Sequence, residues 1–344
     1  MQSLFESRAE SCTLFVGGGD ILRTDWDVVA GHYGRDSRID HSRLRHSLGT
    51  VNAFDYLLRR NLPRSEPAGF FADRFKARWM TYPAVGPFLF DSDSLPQGTL
   101  VSYISCGVPY DFTPLERDGI KRTLEGARSI YLRDEQSAEK LCRAGVRREL
   151  RVAPDLTVLL SDQFDREKQA RRGREIISRF GIDGDRPFLC FQCQPYRGFD
   201  AEEIVRQLMR YRERTGSAVV LFPTGYCHGD HEFLQSLARL SGGALKYAGV
   251  YSIFDMMDII AASDLFVGTS LHANITALSF GIPGLFGPLS VAKADGFLRV
   301  MNLPPQLKLG SWNEVNDRID MALELGRDFF RTRNGGEGES LSGD

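Results

Sequence analysis

The sequence is poor in cysteine, has no long apolar run and carries almost no excess charge. Six cysteines scattered over 344 residues are not the dense framework of a disulfide-stapled domain. They suit free thiols in a reducing cytoplasm, which is the expected location. No apolar stretch approaches the roughly 20 residues that a membrane helix needs, so no integral membrane segment is expected. The opening residues, MQSLFESRAES, lack the apolar centre of a secretion signal. A formal net charge of −2 gives no general attraction to nucleic acid or to anionic membrane. There is no internal repeat and no low-complexity core. The dinucleotide fingerprint is missing too: Gly17-Gly18-Gly19-Asp20 is not G-x-G-x-x-G, and no suitably placed acid follows.

What remains is an ordinary globular composition, 42% hydrophobic and 26% charged, at a length suited to two domains. Strand and helix patterns alternate along it. Strands are expected at Thr13–Gly17, Leu100–Ser105, Ser129–Leu132 and Leu150–Val152, with helices at Pro114–Glu125 and Ser137–Ala144. In the second half, strands are expected at Phe188–Gln192, Ala218–Phe222, Leu245–Tyr247, Asp264–Val267 and Gly284–Phe286. Between them, helical spacing covers Asp200–Arg214, His231–Leu240, Ser252–Ala262 and His272–Phe280. Such alternation implies parallel sheets with helices on both faces.

The charged run Asp165–Arg174 reads as a solvated linker helix, which puts the domain boundary within Asp162–Asp185. The expected division is an N-terminal α/β domain over 1–165, a C-terminal α/β domain over 183–310, and a helix within 311–333, centred on Asn313–Phe330, that packs across the junction. A polar, Gly-rich tail over 334–344 is expected to be disordered. The aromatic, histidine-rich segment Thr24–Gln97 reads as helices and loops laid over the first domain.

The stretch richest in chemistry is DLFVGTSLHANITALSFGIP, residues 264–283. A buried strand runs into Gly268-Thr269-Ser270, and a helix starts near Leu271. A helix N-terminus offers N–H groups and the positive end of the dipole, so with two hydroxyls and His272 it makes an anion site. In open α/β sheets, ligands lie outside the carboxyl ends of the strands, where this turn falls. The same residues equally fit a plain strand–helix turn with Ser270 as N-cap and His272 satisfied locally. Arg133, at the end of another strand, has the fork that grips carboxylate or phosphate, but an Arg133–Asp134 pair tying a turn fits as well. Asp155 ends a strand as a cap or as a catalytic group. Gly18 and Gly19 allow a ligand or another backbone to come close. Cys190-Phe191-Gln192-Cys193 is a single C-x-x-C on a buried strand, so no metal is expected there. In Cys227-His228-Gly229-Asp230-His231, a loop capping the next helix competes with metal ligation. His228 otherwise lines the cleft with His272.

Together these pieces resemble the polysaccharide pyruvyl transferase family. The matching segments are GGGD at 17–20, YISCGVP at 103–109, YLRDEQSAEKLCRAGV at 131–146, VAPDLTVLL at 152–160, SIFDMMDIIAASDLFVGTSLHANITALSFGIP at 252–283, and then Lys293. The resemblance implies two doubly wound, Rossmann-like domains of the GT-B type facing a central cleft. It implies phosphoenolpyruvate as donor, with no further cofactor and no metal. His272 and Arg133 would be catalytic, converging with Lys293 on the donor beside Gly268, Thr269 and Ser270. A sugar or lipid-linked glycan acceptor would lie against the N-terminal domain, and Gly18, Gly19, Asp20, Asp155 and His228 are further substrate-binding candidates. Peripheral contact with membrane-bound biosynthetic machinery is compatible with this.

Two departures stand out. Many members carry an additional first strand and an Asn-x-Gly-Asp turn, for which this chain starts too close to GGGD. Members also often have arginine where this chain has Ser270. Two other readings stay open: a nucleotide-sugar glycosyltransferase of the same architecture, and a non-catalytic sugar-binding relative. The first usually needs a glutamate in the helix after the glycine turn, and His272–Ser279 contains no acid.

Overall fold

The computed structural model describes residues 12–19, 22, 88–90, 95, 97–109, 111–112, 114–195, 199–224, 229–250, 252–288 and 291–324, without the side chains of 115, 291 and 292. The contacts divide the chain into two compact units, meeting in sequence at Asp155 and Leu156.

The first unit holds a parallel sheet in the order β1 (Thr13–Gly17), β2 (Leu100–Cys106), β3 (Ser129–Leu132), β4 (Arg151–Val152). Helix α1 (Pro114–Glu125) links β2 to β3, and α2 (Glu135–Arg143) links β3 to β4. Val16, Val101, Tyr103, Ile130 and Leu132 pack with Ile120, Leu124 and Leu141 in its core. Asp134 caps α2, its Oδ1 accepting from Ser137 N at 2.7 Å. That satisfies one of the N–H groups a helix start leaves open.

The second unit opens with a 3-10 turn at Leu156–Leu159, then α3 (Leu160–Gln163) and α4 (Arg166–Ser178). Its parallel sheet runs β5 (Phe188–Gln192), β6 (Ala218–Leu221), β7 (Lys246–Tyr247), β8 (Leu265–Gly268) and β9 (Gly284–Phe286) in chain order. The spatial order is β7-β6-β5-β8-β9. The links are α5 (Ala201–Thr215), α6 (Asp230–Leu240), α7 (Ile253–Ala262) and α8 (Leu271–Ser279); α9 (Val291–Val300) and α10 (Val315–Glu324) follow.

Side-chain alternation builds two cores on this one sheet. Leu189, Phe191, Val219, Leu221, Leu265 and Val267 face α5, α6, α9 and α10. Phe188, Cys190, Val220, Phe222 and Phe266 face α4 and α7. Helix α8 contributes to both, with Leu271, Ile275 and Leu278 on one side and Ala273 and Ala277 on the other. Among the described residues, no helix is long and apolar enough to cross a membrane.

The division lies ahead of the expected 162–185. The charged run is one face of α4; Gln169, Gly173, Ile176 and Ile177 on its other face are buried. A Cβ on Gly173 would lie 2.1 Å from the Asp258 carbonyl oxygen, so only glycine lets α4 and α7 approach so closely. The expected helix Asn313–Phe330 begins as a 3-10 turn, Trp312–Glu314, before α10. The contacts of α10 include α5 and β9 of its own unit. The tail, residues 325–333 of the expected C-terminal helix, and most of Thr24–Gln97 lie outside the described residues.

Candidate functional site

The strand order of the second unit reverses between β5 and β8. From β5 the chain steps outward to β6 and β7, then returns to β8 on the other side. Outside the carboxyl ends of those two strands an open α/β sheet has its natural ligand crevice. Gln192 ends β5, Gly268 ends β8, and the two are register partners.

The Gly268–Ser270 turn is held tightly there. Thr269 N–H donates to the Gln192 carbonyl at 3.3 Å, and Thr269 Oγ1 accepts from Gln194 N at 2.9 Å. Gly287 N–H donates to the Gly268 carbonyl at 2.8 Å. Asn274, wholly buried, donates from Nδ2 to the carbonyls of Gly268 at 2.7 Å and Ser270 at 3.0 Å. Ser270 is the N-cap of α8, its side chain accepting from Ala273 N. A Cβ on Gly268 would lie 2.9 Å from the Phe266 ring and 3.0 Å from the Gln192 carbonyl, so a larger residue would push the strand ends apart.

Every residue of α8 is buried except His272, which is exposed in the first turn. The sequence thus surrounds one polar ring with Leu271, Ala273 and Ile275, which anchor the helix, and presents it at the helix start. Lys293, half-buried, is the third residue of α9, which follows β9 as α8 follows β8. Strands β8 and β9 are neighbours, so both residues follow the same edge of the sheet.

The first unit has its own cluster at the carboxyl edge of its sheet. Gly18 and Gly19 follow β1 in the left-handed region, with φ of 87° and 66°. Gly19 accepts from Gly107 N–H at 2.7 Å. Arg133, 5% exposed, packs its guanidinium against Gly107 and lies 3.7 Å from Asp134 through Nε. Asp155 is buried after β4. Burial pushes the Cys106 thiol up to about 12; a backbone hydrogen bond with Ile104 and the charge of Arg133 pull it down, and Asp155 pushes it up. Cys106 thus feels both charged groups. Ser105, in the left-handed region at φ 61°, marks the irregularity that ends β2 beside them.

The candidates therefore form two groups. Gly18, Gly19, Arg133 and Asp155 stand in the first unit; Gly268, Thr269, Ser270, His272 and Lys293 stand in the second. Asp20 and His228 lie outside the described residues. Cys190 and Cys193 pack in different cores, so they do not converge as a ligand pair. Asp230, one residue of the other metal reading, is 1% exposed and bonded to Gln192. His231 Nδ1 meets the Tyr247 hydroxyl at 2.5 Å. Sequence reasoning missed the parts that Gln192, Asn274, Asp230 and Gly107 play in holding these turns. The signal for Gln192 was a lone amide closing an otherwise apolar strand.

A model of the polysaccharide pyruvyl transferase family matches residues 5–286. No curated protein sequence matches. Among solved structures, UDP-GlcNAc 2-epimerase from Neisseria meningitidis is similar at 10% identity and TM-score 0.49, over 95% of this chain and 94% of that one. The trehalose-6-phosphate phosphatase N-terminal domain from Candida albicans matches at 10% identity and TM-score 0.49, over 96% and 92%. Anabaena Alr3699/HepE, solved with UDP and glucose, matches at 11% and 0.48, over 94% of each chain. At such scores these likenesses carry no weight for function. The family match is of another kind, since it runs through the glycine turn after β1, Arg133, and the whole β8–α8 segment to the end of β9; the chain belongs to the polysaccharide pyruvyl transferase family.

Proposed function

We propose that the protein moves the enolpyruvyl group of phosphoenolpyruvate onto sugar hydroxyls of a polysaccharide or glycan precursor in the cytoplasm, forming a pyruvyl ketal and releasing phosphate. The observation that carries this reading is His272: the one exposed side chain of α8, in its first turn, at the strand-order reversal.

The donor carries a carboxylate and a phosphate. The N-terminal dipole of α8 favours negative charge, and Lys293 adds a cation after the adjacent strand. Imidazole is the side chain best suited to exchange a proton near neutral pH. His272, as imidazolium, protonates the methylene carbon and leaves an oxocarbenium-like centre on the neighbouring carbon. One sugar hydroxyl attacks that centre and returns its proton to His272. A second hydroxyl then displaces phosphate, which leaves with that hydroxyl's proton, and the ketal closes. The proton count on His272 is restored, and the scheme needs no metal or organic cofactor. Thr269 and Ser270 shape the turn. Arg133 is the anion-binding cation of the first unit, and Gly18, Gly19 and Asp155 form its acceptor side.

The test is phosphate release from phosphoenolpyruvate, with oligosaccharide, lipid-linked and nucleotide-sugar acceptors, read beside the mass of the product. Acceptor-dependent release with a ketal-bearing product supports the reading. Transfer of a sugar from a nucleotide donor, with phosphoenolpyruvate inert, overturns it.

A further inference from the structure

Gln192 is 1% exposed, and the two ends of its amide do different things. Its Oε1 accepts from Ser270 N–H at 2.8 Å and from the Thr269 hydroxyl at 3.3 Å. Its Nε2 donates to Asp230 Oδ2 at 2.7 Å. The same Asp230 oxygen accepts from Thr224 N–H at 3.3 Å and from the Thr224 hydroxyl at 3.4 Å. Asp230, at the start of α6, is itself 1% exposed.

Asp230 Oδ2 takes a backbone N–H, which can only donate, so it faces Gln192 as an acceptor. It therefore decides which end of the glutamine amide faces it. Turning the amide over would set carbonyl oxygen against carboxylate and NH₂ against the Ser270 N–H, and both contacts repel. Asp230 thus holds the Gln192 carbonyl toward the turn that caps α8. The residues joined in this way stand at the ends of β5, β6 and β8.

We propose that Gln192, locked by Asp230, is a positioning residue that fixes the Gly268–Ser270 turn and, through it, the placement of His272. This rests on the reading of His272 as proton carrier. Gln192 acts through Ser270 and not on the reacting atoms. Misplacement of a catalytic group by about 1 Å is enough to cost on the order of 10²-fold in rate.

The test compares Q192E, D230A and the double variant Q192E/D230N with the wild type in two measurements. Q192E sets two carboxylates against each other, D230A removes the acceptor that locks the amide, and the double variant restores a donor facing an acceptor at the loss of the Thr224 N–H bond. The first measurement is hydrogen exchange of the peptide spanning 268–274, which needs no turnover. Exchange should speed up about tenfold or more in Q192E, and the double variant should recover part of the protection. The second is phosphoenolpyruvate turnover. For Q192E, kcat should fall on the order of 10²-fold while KM moves far less, again with recovery in the double variant. If Q192E does not fold, or its two carboxylates share a proton, D230A carries the same comparison. Wild-type exchange in D230A overturns the proposal. So does a double variant that regains its melting temperature but neither its protection nor its turnover. If the wild type itself releases no phosphate, the exchange measurement still decides the role of Gln192, and the functional reading fails separately.

Discussion

The guanidinium of Arg133 occupies the space that a side chain at Gly107 would need. A Cβ there would lie 2.6 Å from Nε and 2.7 Å from Cζ and Nη2 of Arg133. Because Arg133 is 5% exposed, its fork has little room to retreat. G107A should therefore lower stability by about 1–3 kcal/mol, the usual range for overpacking, and displace the guanidinium. Denaturant unfolding and phosphoenolpyruvate binding, measured together, check both effects. Unchanged stability would show that Arg133 swings aside freely.

Gly173 makes a harsher prediction. Alanine is normally favoured over glycine inside a helix by about 1 kcal/mol. Here its Cβ would meet the backbone oxygen of Asp258 at 2.1 Å and Ala262 Cβ at 2.9 Å. Backbone cannot yield as a side-chain tip does, so α4 and α7 must separate. The overlap should outweigh the propensity gain, for a net loss of about 3 kcal/mol. A G173A midpoint equal to or above the wild type would contradict the close helix pairing.

Asp258 gives a pH-dependent prediction. Its side chain is fully buried, with Oδ2 at 3.1 Å from Nε of the half-exposed Arg172. Burial raises its acid above the ordinary value, Arg172 pulls it down, and Asp255 adds a further push upward. The folded state therefore holds this proton more tightly than the unfolded chain does. Ionising Asp258 costs stability as pH rises through the folded value, and below the unfolded carboxylate value no penalty remains. D258N should be more stable than the wild type at neutral pH, and the margin should close in acid. A margin that widens in acid would mean that the Arg172 pair outweighs burial.

Both sheets were legible because their strands are short apolar runs separated by helical spacing. The Phe188–Gln192, Ser129–Leu132 and Gly284–Phe286 strands have the bounds their sequences suggest. The Gly268–Ser270 turn was legible as a helix start, since Ser270 is an N-cap residue type followed by a buried helix. Gln192 was not. Its partners, Ser270 and Asp230, are 78 and 38 residues away in sequence, and only the strand order brings them together. Gly107 was hidden for the same reason: its constraint comes from Arg133, just past the end of the next strand. The run 165–174 misled because charge reports only the exposed face of α4, while Gly173 and Ile176 decide where the helix packs.

The most direct measurement is the pyruvyl transfer rate and phosphoenolpyruvate affinity of H272N beside the wild type. Asparagine keeps a hydrogen-bonding side chain at the start of α8 but cannot exchange a proton near neutral pH. Proton transfer by a placed side chain is worth on the order of 10²–10⁴ in rate. H272N should lose about that much turnover while still binding the donor, whereas K293A should chiefly weaken donor binding. Transfer at the wild-type rate with unchanged affinity in H272N would exclude His272 both as proton carrier and as donor ligand.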